Sequence, residues 1–362
     1  MVASRQKRLV SSSHIFLGLV SCVVAVVAPE HLPLLSVSAI AATPSPVGSP
    51  PATTGPVTAM ALSPDGKSIV VATHSGIEIG ELQDSTKWNQ HAFEADQISD
   101  LEFSPDGTRL VVAGGTPGQF GLTEILKWPT CERYALRRDF DEVCTAVAWS
   151  PDGRHVAVGC HDSTIQIFSV ESGKMEAKVE SHSRAVTGLV WTTTDNKPET
   201  GTVLVSSSLD QSVRLFVPII TEDDMTIIQT RILDQHTREV QGIALASVQS
   251  RFQNEKLTLV SWGDDRTLRF WQPLTGRMLR FAKLESEVVD AVWDAHGTIV
   301  IAALSNGEVV TVDLQDTHIH RLQRFDPPIT KVSVSPGNRE LIVSDFRGRV
   351  HFVPYPQTIP KD

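Results

Sequence analysis

SPDG stands at residues 63–66, 104–107 and 150–153, each time directly after a short apolar stretch. Those stretches read VTAMAL (57–62), ISDLEF (98–103) and CTAVAW (144–149). Four weaker copies follow: VTGLVW (186–191), VQGIAL (240–245), VVDAVW (288–293) and ITKVSV (329–334). All seven place apolar residues at positions four and six, the pattern of a half-buried strand. Their starts are 41, 46, 42, 54, 48 and 41 residues apart. A period of that size marks a repeat architecture.

Each copy continues in the same order. A turn, Pro-Asp-Gly where the copy is clearest, leads to a β-branched strand such as SIVVAT (68–73), RLVVAG (109–114) or HVAVGC (155–160). Asp/Gly turn chemistry then leads to a third strand: TIQIF (164–168), SVRLF (212–216), TLRFW (267–271) or EVVTV (308–312). A fourth, more polar strand follows in most copies, as in RMLRFAKL (277–284). Four short strands per repeat, seven times over, predict an all-β chain: a seven-bladed β-propeller with four-stranded antiparallel blades over residues 57–357. Residues 358–362 form a short tail.

The third-strand motifs DQSVRLF (210–216) and DDRTLRFW (264–271) resemble the WD-repeat propellers of the G-protein β type. The resemblance covers nearly all of residues 57–357. It implies a tetrad of His before the first strand, Ser on the second, Asp in the following turn and Trp on the third. Blade 5 offers His236, Ser261, Asp265 and Trp271. Blade 4 offers His182, Ser206 and Asp210, with Phe216 in the Trp place. Blade 3 keeps Asp162 and ends in Phe168, while blades 1, 6 and 7 lose the polar set, with Gly76, Asn306-Gly307 and Gly348 in their turns. Such a His bridges Asp and Ser where water is scarce, so the tetrad is a structural tie and no hydrolase triad.

Closure of the ring is open. PQTIPKD (356–362) is too short and Pro-broken for a strand, and the segment before Val57 is proline-rich. Either a short pairing near Ala52–Gly55 or a three-stranded last blade is expected.

Apolar residues make up 41% of the 362 and charged residues 20%, which suits a folded chain. Net charge is −10, and residues 1–42 contribute +2 from Arg5, Lys7 and Arg8 against Glu30, leaving about −12 for the remainder. A chain this acidic lacks the positive surface that a general nucleic-acid binder presents to phosphates. The basic start and the apolar run Ile15–Ala28 fit a secretory signal over 1–42, with Ala39-Ile40-Ala41 as cleavage site. An uncleaved signal anchor and a lipobox at Leu19-Val20-Ser21-Cys22 stay open. All three imply export to periplasm, cell envelope or medium, with a membrane contact only through a retained N-terminus. Residues 43–56, with five prolines, read as an extended linker.

Catalytic and metal motifs do not emerge. Cys22, Cys131, Cys144 and Cys160 form no C-x-x-C pair, and one bridge is possible without the sequence showing which. Cys160-His161-Asp162 reads as a strand end and polar turn, and His318/His320 as an outer strand. Glu222-Asp223-Asp224 reads as a solvated loop. No sialidase box, nucleophile elbow or phosphate loop occurs. No enzyme, cofactor or metal is therefore expected.

Three insertions depart from the repeat: GGTPGQFGLTE (114–124) with an exposed Phe120, TTTDNKPETG (192–201) and SVQSRFQNEK (247–256). The last two lie side by side on one rim if the WD-repeat order holds. Phe120, Asp195, Lys197, Arg251 and Phe252 are the candidate interaction residues. The expected function is a monomeric, non-enzymatic scaffold that presents rigid loops to another protein. A channel sensor for a small ligand or metal is the alternative, with a propeller hydrolase or oxidoreductase behind it.

Overall fold

The computed structural model describes residues 55–355 except 75, 83, 195–200, 221–224, 247–256 and 336–338. Those residues form seven antiparallel sheets, each from consecutive strands. The first strands of successive blades lie side by side, and Ala59–Leu62 of blade 1 packs against Ile329–Val334 of blade 7, so the ring closes. Val57, Ile69 and Val71 meet Ile342 and Val350 there in one buried cluster.

Patterning and position agree. First strands alternate, because one face meets the neighbouring blade and the other the central channel: Ile98, Leu101 and Phe103 are buried while Glu102 is exposed. Second strands are continuous apolar runs because blades press on both their faces. Ile69, Val70, Val71 and Ala72 are all fully buried. Fourth strands such as Arg133–Phe140 form the outer edge and are mostly polar.

The SPDG turns share one geometry. Ser63 Oγ donates to Asp65 Oδ1 at 2.6 Å and accepts the Ser68 N–H at 2.9 Å. Ser104 and Ser150 repeat both contacts with Asp106/Arg109 and Asp152/His155. Gly66, Gly107 and Gly153 take φ of +66° to +69°, the left-handed region that only glycine enters freely. Blade 6 reaches the same end differently: Asp294 Oδ1 accepts Thr298 N–H and Ile299 N–H at 2.8 and 2.9 Å.

Six blades have four strands, and the seventh has three among the described residues: Ile329–Val334, Glu340–Asp345 and Val350–Pro354. A three-stranded last blade is one of the two closures expected from the sequence, and among the described residues no strand fills the outer place of blade 7. Ala52–Thr54 and 356–362 lie outside the described residues, and Gly55 is a bend.

Blade 2 brings a correction. Residues 114–124 are no loop: Arg109–Thr116 and Phe120–Lys127 pair from Arg109↔Lys127 to Thr116↔Phe120, leaving a three-residue turn. Gly118 serves the turn, with φ of +71° and open space around it, whereas Gly114 and Gly121 are packing glycines. A Cβ on Gly114 would stand 2.0 Å from the Gln97 carbonyl oxygen, and one on Gly121 2.3 Å from that of Glu142.

Candidate functional site

Blade 5 holds a continuous hydrogen-bonded chain. His236 Nδ1 lies 2.9 Å from Asp265 Oδ2 and Nε2 lies 2.7 Å from Ser261 Oγ, while Trp271 Nε1–H donates to Ser261 Oγ at 2.9 Å. Because Ser261 already accepts from the indole, its own hydroxyl proton points to His236 Nε2. His236 Nδ1–H then donates to Asp265. Burial pushes His236 below the ordinary imidazole value, which keeps the ring neutral. Asp265 sits well below the usual carboxylate range: although burial opposes ionisation, it is outweighed by bonds from His236, Thr267 and the Thr237 N–H. Arg269 Nη2 lies 3.3 Å from the same carboxylate.

Blade 4 repeats the tie with one link fewer. His182 Nδ1 is 2.8 Å from Asp210 Oδ2, and Nε2 is 2.6 Å from Ser206 Oγ. Phe216 in the Trp position is fully buried and offers no donor to Ser206. In blade 3, Asp162 accepts only from Thr164, through N–H at 2.9 Å and Oγ1 at 2.7 Å. Blade 7 has a rewired set that sequence reading missed. Asp345, buried at the end of the second strand, accepts from Arg349 Nε at 2.7 Å and contacts His351 Nε2 at 2.9 Å. The missed signal was DFRGRVH (345–351), in which the Asp stands two places earlier than in blade 5.

A second set of contacts stitches blade to blade around the channel. Inner strands are sheet edges with unpaired N–H groups, and carboxylates on the preceding blade accept them. Asp100 Oδ2 takes Val147 N–H at 2.9 Å, and Glu102 Oε2 takes Trp149 N–H at 2.8 Å. Asp290 Oδ2 takes Val332 N–H at 2.9 Å. Strand-end tryptophans close the same seams: Trp149 Nε1–H donates to Glu102 O and Trp293 Nε1–H to Ala244 O, both at 3.1 Å. Lys331 Nζ stands 3.9 Å from Asp290 Oδ1.

Enclosure in the ring pushes Asp100 up to about 6, against the pull of the Val147 N–H and the Lys331 charge. Glu102 moves in the same direction, from enclosure first and the Asp100 charge second. Water in the channel reaches Glu102, which limits the shift without reversing it. A carboxyl whose folded value is raised favours the protonated folded state, so its ionisation costs stability as pH rises through that value. Glu102→Gln keeps an acceptor for Trp149 N–H and removes the charge. The variant should match the wild type in Tm at pH 4 and exceed it increasingly toward pH 9. A difference that stays constant with pH would show that Glu102 ionises in the channel as freely as in water.

The remaining sequence candidates do not converge. Phe120, expected on an exposed loop, opens the third strand of blade 2 and is half-buried beneath Arg138, whose guanidinium lies 4.5 Å from the ring centre. Asp195, Lys197, Arg251, Phe252 and Glu222-Asp223-Asp224 lie outside the described residues. Cys160 is buried at a strand end while His161 is exposed in the turn beyond it. His320 is in the fourth strand of blade 6, but His318 precedes that strand, so the two do not share it. Among the described residues, no three His, Cys, Asp or Glu side chains are grouped to hold a metal ion.

Residues 126–194 match the family model of the anaphase-promoting complex subunit 4 WD40 domain. The chain is also similar to the WD repeat-containing protein VIP3 of Arabidopsis thaliana, 28% identical over 153 residues, covering 38% of this chain and 47% of that protein. The nuclear distribution protein nudF of Aspergillus flavus is 29% identical over 193 residues, 52% of this chain and 39% of its own length. Together with seven blades in a ring, these likenesses decide the family. The chain is a WD-repeat β-propeller. A further WD-repeat relative, cell division cycle 20.1 of Arabidopsis thaliana, is named a cofactor of the APC complex and is 24% identical over 194 residues, 42% of this chain and 40% of that one. The propeller chain spans less than half the length of these three relatives.

Proposed function

We propose that this WD-repeat propeller is a monomeric, non-enzymatic scaffold, exported to the cell envelope, that holds rigid loops for a protein partner. The observation that carries the scaffold reading is the closed ring itself. Cross-blade bonds from Asp100, Glu102 and Trp149 join blades 2 and 3, that of Trp293 joins blades 5 and 6, and that of Asp290 joins blades 6 and 7, so the turns on both faces of a closed ring are positioned before a partner arrives. A partner then spares the ordering entropy of those loops. Two likenesses point the same way: one relative is named a cofactor of a complex, and the matching family model is named for a subunit of one. The export reading rests on the basic start, the apolar run Ile15–Ala28 and Ala39-Ile40-Ala41, all outside the described residues. Among the described residues, no helix is long and apolar enough to cross a membrane.

Affinity capture of the tagged full chain from fractionated native cells tests both halves. The expected result is enrichment in the envelope or exported fraction with one protein co-purifying in near-equal amount. Recovery in the cytosolic fraction with its leader intact overturns export, whereas a clean bait overturns the scaffold. The second reading is a small ligand or ion in the channel, favoured by Asp100, Glu102, Asp290 and Lys331 on the inner strands. Native mass spectrometry of the clean bait would show it as an added mass.

A further inference from the structure

Blade 3 lacks the polar tie of blades 4 and 5. Phe140 stands where blades 4 and 5 have His182 and His236, and Val158 stands where they have Ser206 and Ser261; both are buried. At that same end of the blade, the first strand begins with Cys144 and the second ends with Cys160. The two are cross-strand partners in the antiparallel register, and both are fully buried. The Cys160 side chain is a neighbour of the Cys144 thiol, and Thr123 Oγ1 lies 3.7 Å from Cys144 Sγ. The pair sits just past a β-bulge between Gly159 and Cys160, and facing residues of an antiparallel pair have Cα atoms roughly 4.5–5.5 Å apart, inside the range a disulfide spans. Both sulfurs are free thiols in this structure, as is Cys131, which is half-exposed and joins no pair.

We infer that Cys144 and Cys160 form a disulfide that locks the first two strands of blade 3, a covalent substitute for the His–Ser–Asp tie. The oxidant is a small-molecule disulfide of the glutathione class. One cysteine thiolate attacks it and releases one small thiol; the second cysteine then displaces the other half of the mixed disulfide. Two protein thiols and one small disulfide thus become one protein disulfide and two small thiols, with no electrons unaccounted for. Because both sulfurs are sealed in the folded blade, the exchange takes place on the refolding chain before the seam with blade 2 closes. This bond requires an oxidising compartment but no partner, so its test is separate from that of the scaffold reading.

The full chain is unfolded in reductant and refolded with reduced and oxidised glutathione. It is then alkylated in denaturant and digested with trypsin. Arg154 separates the two cysteines, which fall in peptides 139–154 and 155–174. The expected product is those two peptides joined, two hydrogens lighter than their sum and separable by reductant. Titratable thiols should fall from four to two. Tm of the oxidised wild type should exceed that of the reduced form by about 5 °C. Cys144→Ala should abolish that difference. Recovery of both peptides fully alkylated from correctly refolded protein would overturn the inference, as would a bond through Cys22 or Cys131 instead.

Discussion

Asp265→Ala should destabilise the propeller by about 3–5 kcal/mol, read by urea or thermal unfolding. Its carboxylate is almost wholly shielded from water and accepts from five donors at once. These are His236 Nδ1, the Thr237 and Thr267 N–H groups, Thr267 Oγ1 and Arg269 Nη2. Alanine strands the buried His236 and Thr267 donors, while Thr237 and Arg269 keep access to water, and an unmet buried donor costs more than a made bond returns. Asp265→Asn should cost less, about 1–3 kcal/mol, because the amide oxygen still accepts while its NH2 faces donors. The acid limb should change as well. Asp265 has a depressed folded value, so its contribution is present above the ordinary carboxylate range and is lost as pH falls through the folded value. His236 is also depressed, so acidification below roughly 6.5 protonates it in the unfolded chain first and erodes stability. In Asp265→Ala the loss of stability on acidification should be shallower. A variant with wild-type Tm and an unchanged acid limb would remove the tie from any account of the fold.

Trp271→Ala should cost a similar amount, about 3–5 kcal/mol, for a different reason. The indole is fully buried at the seam between blades 4 and 5, among Val203, Leu233, Val240 and Leu259. Alanine leaves a cavity in a close-packed region and orphans Ser261 Oγ of its donor. Trp271→Phe should cost only about 1–2 kcal/mol, since blade 4 packs Phe216 in the equivalent place and still makes its His182–Ser206 contact. The ordering Ala below Phe below wild type, measured by denaturant midpoint, is the check. A phenylalanine variant as unstable as the alanine one would mean that the indole N–H, not the volume, holds the seam.

Strand limits were legible because each lies between a turn residue and a switch in apolar pattern. CTAVAW, HVAVGC, VQGIAL, VVDAVW and ITKVSV coincide with the observed strands end to end. Glycine was the misleading signal in blade 2. In a linear reading, four glycines in GGTPGQFGLTE mean a loose loop; in the fold, Gly114 and Gly121 are glycine because neighbouring carbonyl oxygens leave no room for a Cβ. Asp345 escaped notice for a related reason. Its place in the turn differs from that of Asp265, and only its contacts with Arg349 and His351 reveal the shared task.

What the sequence determined by itself was the number of blades, their order, and the polar tie in blades 4 and 5. Those depend on short-range periodicity and on residues fewer than 40 apart within one repeat. Only the tertiary structure could decide which side chains join one blade to the next. Asp100, Glu102 and Asp290 each accept an N–H from a strand more than 40 residues away. The face of Trp149 and the meeting of Cys144 with Cys160 belong to the same class. Such pairings follow from the twist and register of packed sheets, which bring together atoms that no local pattern connects.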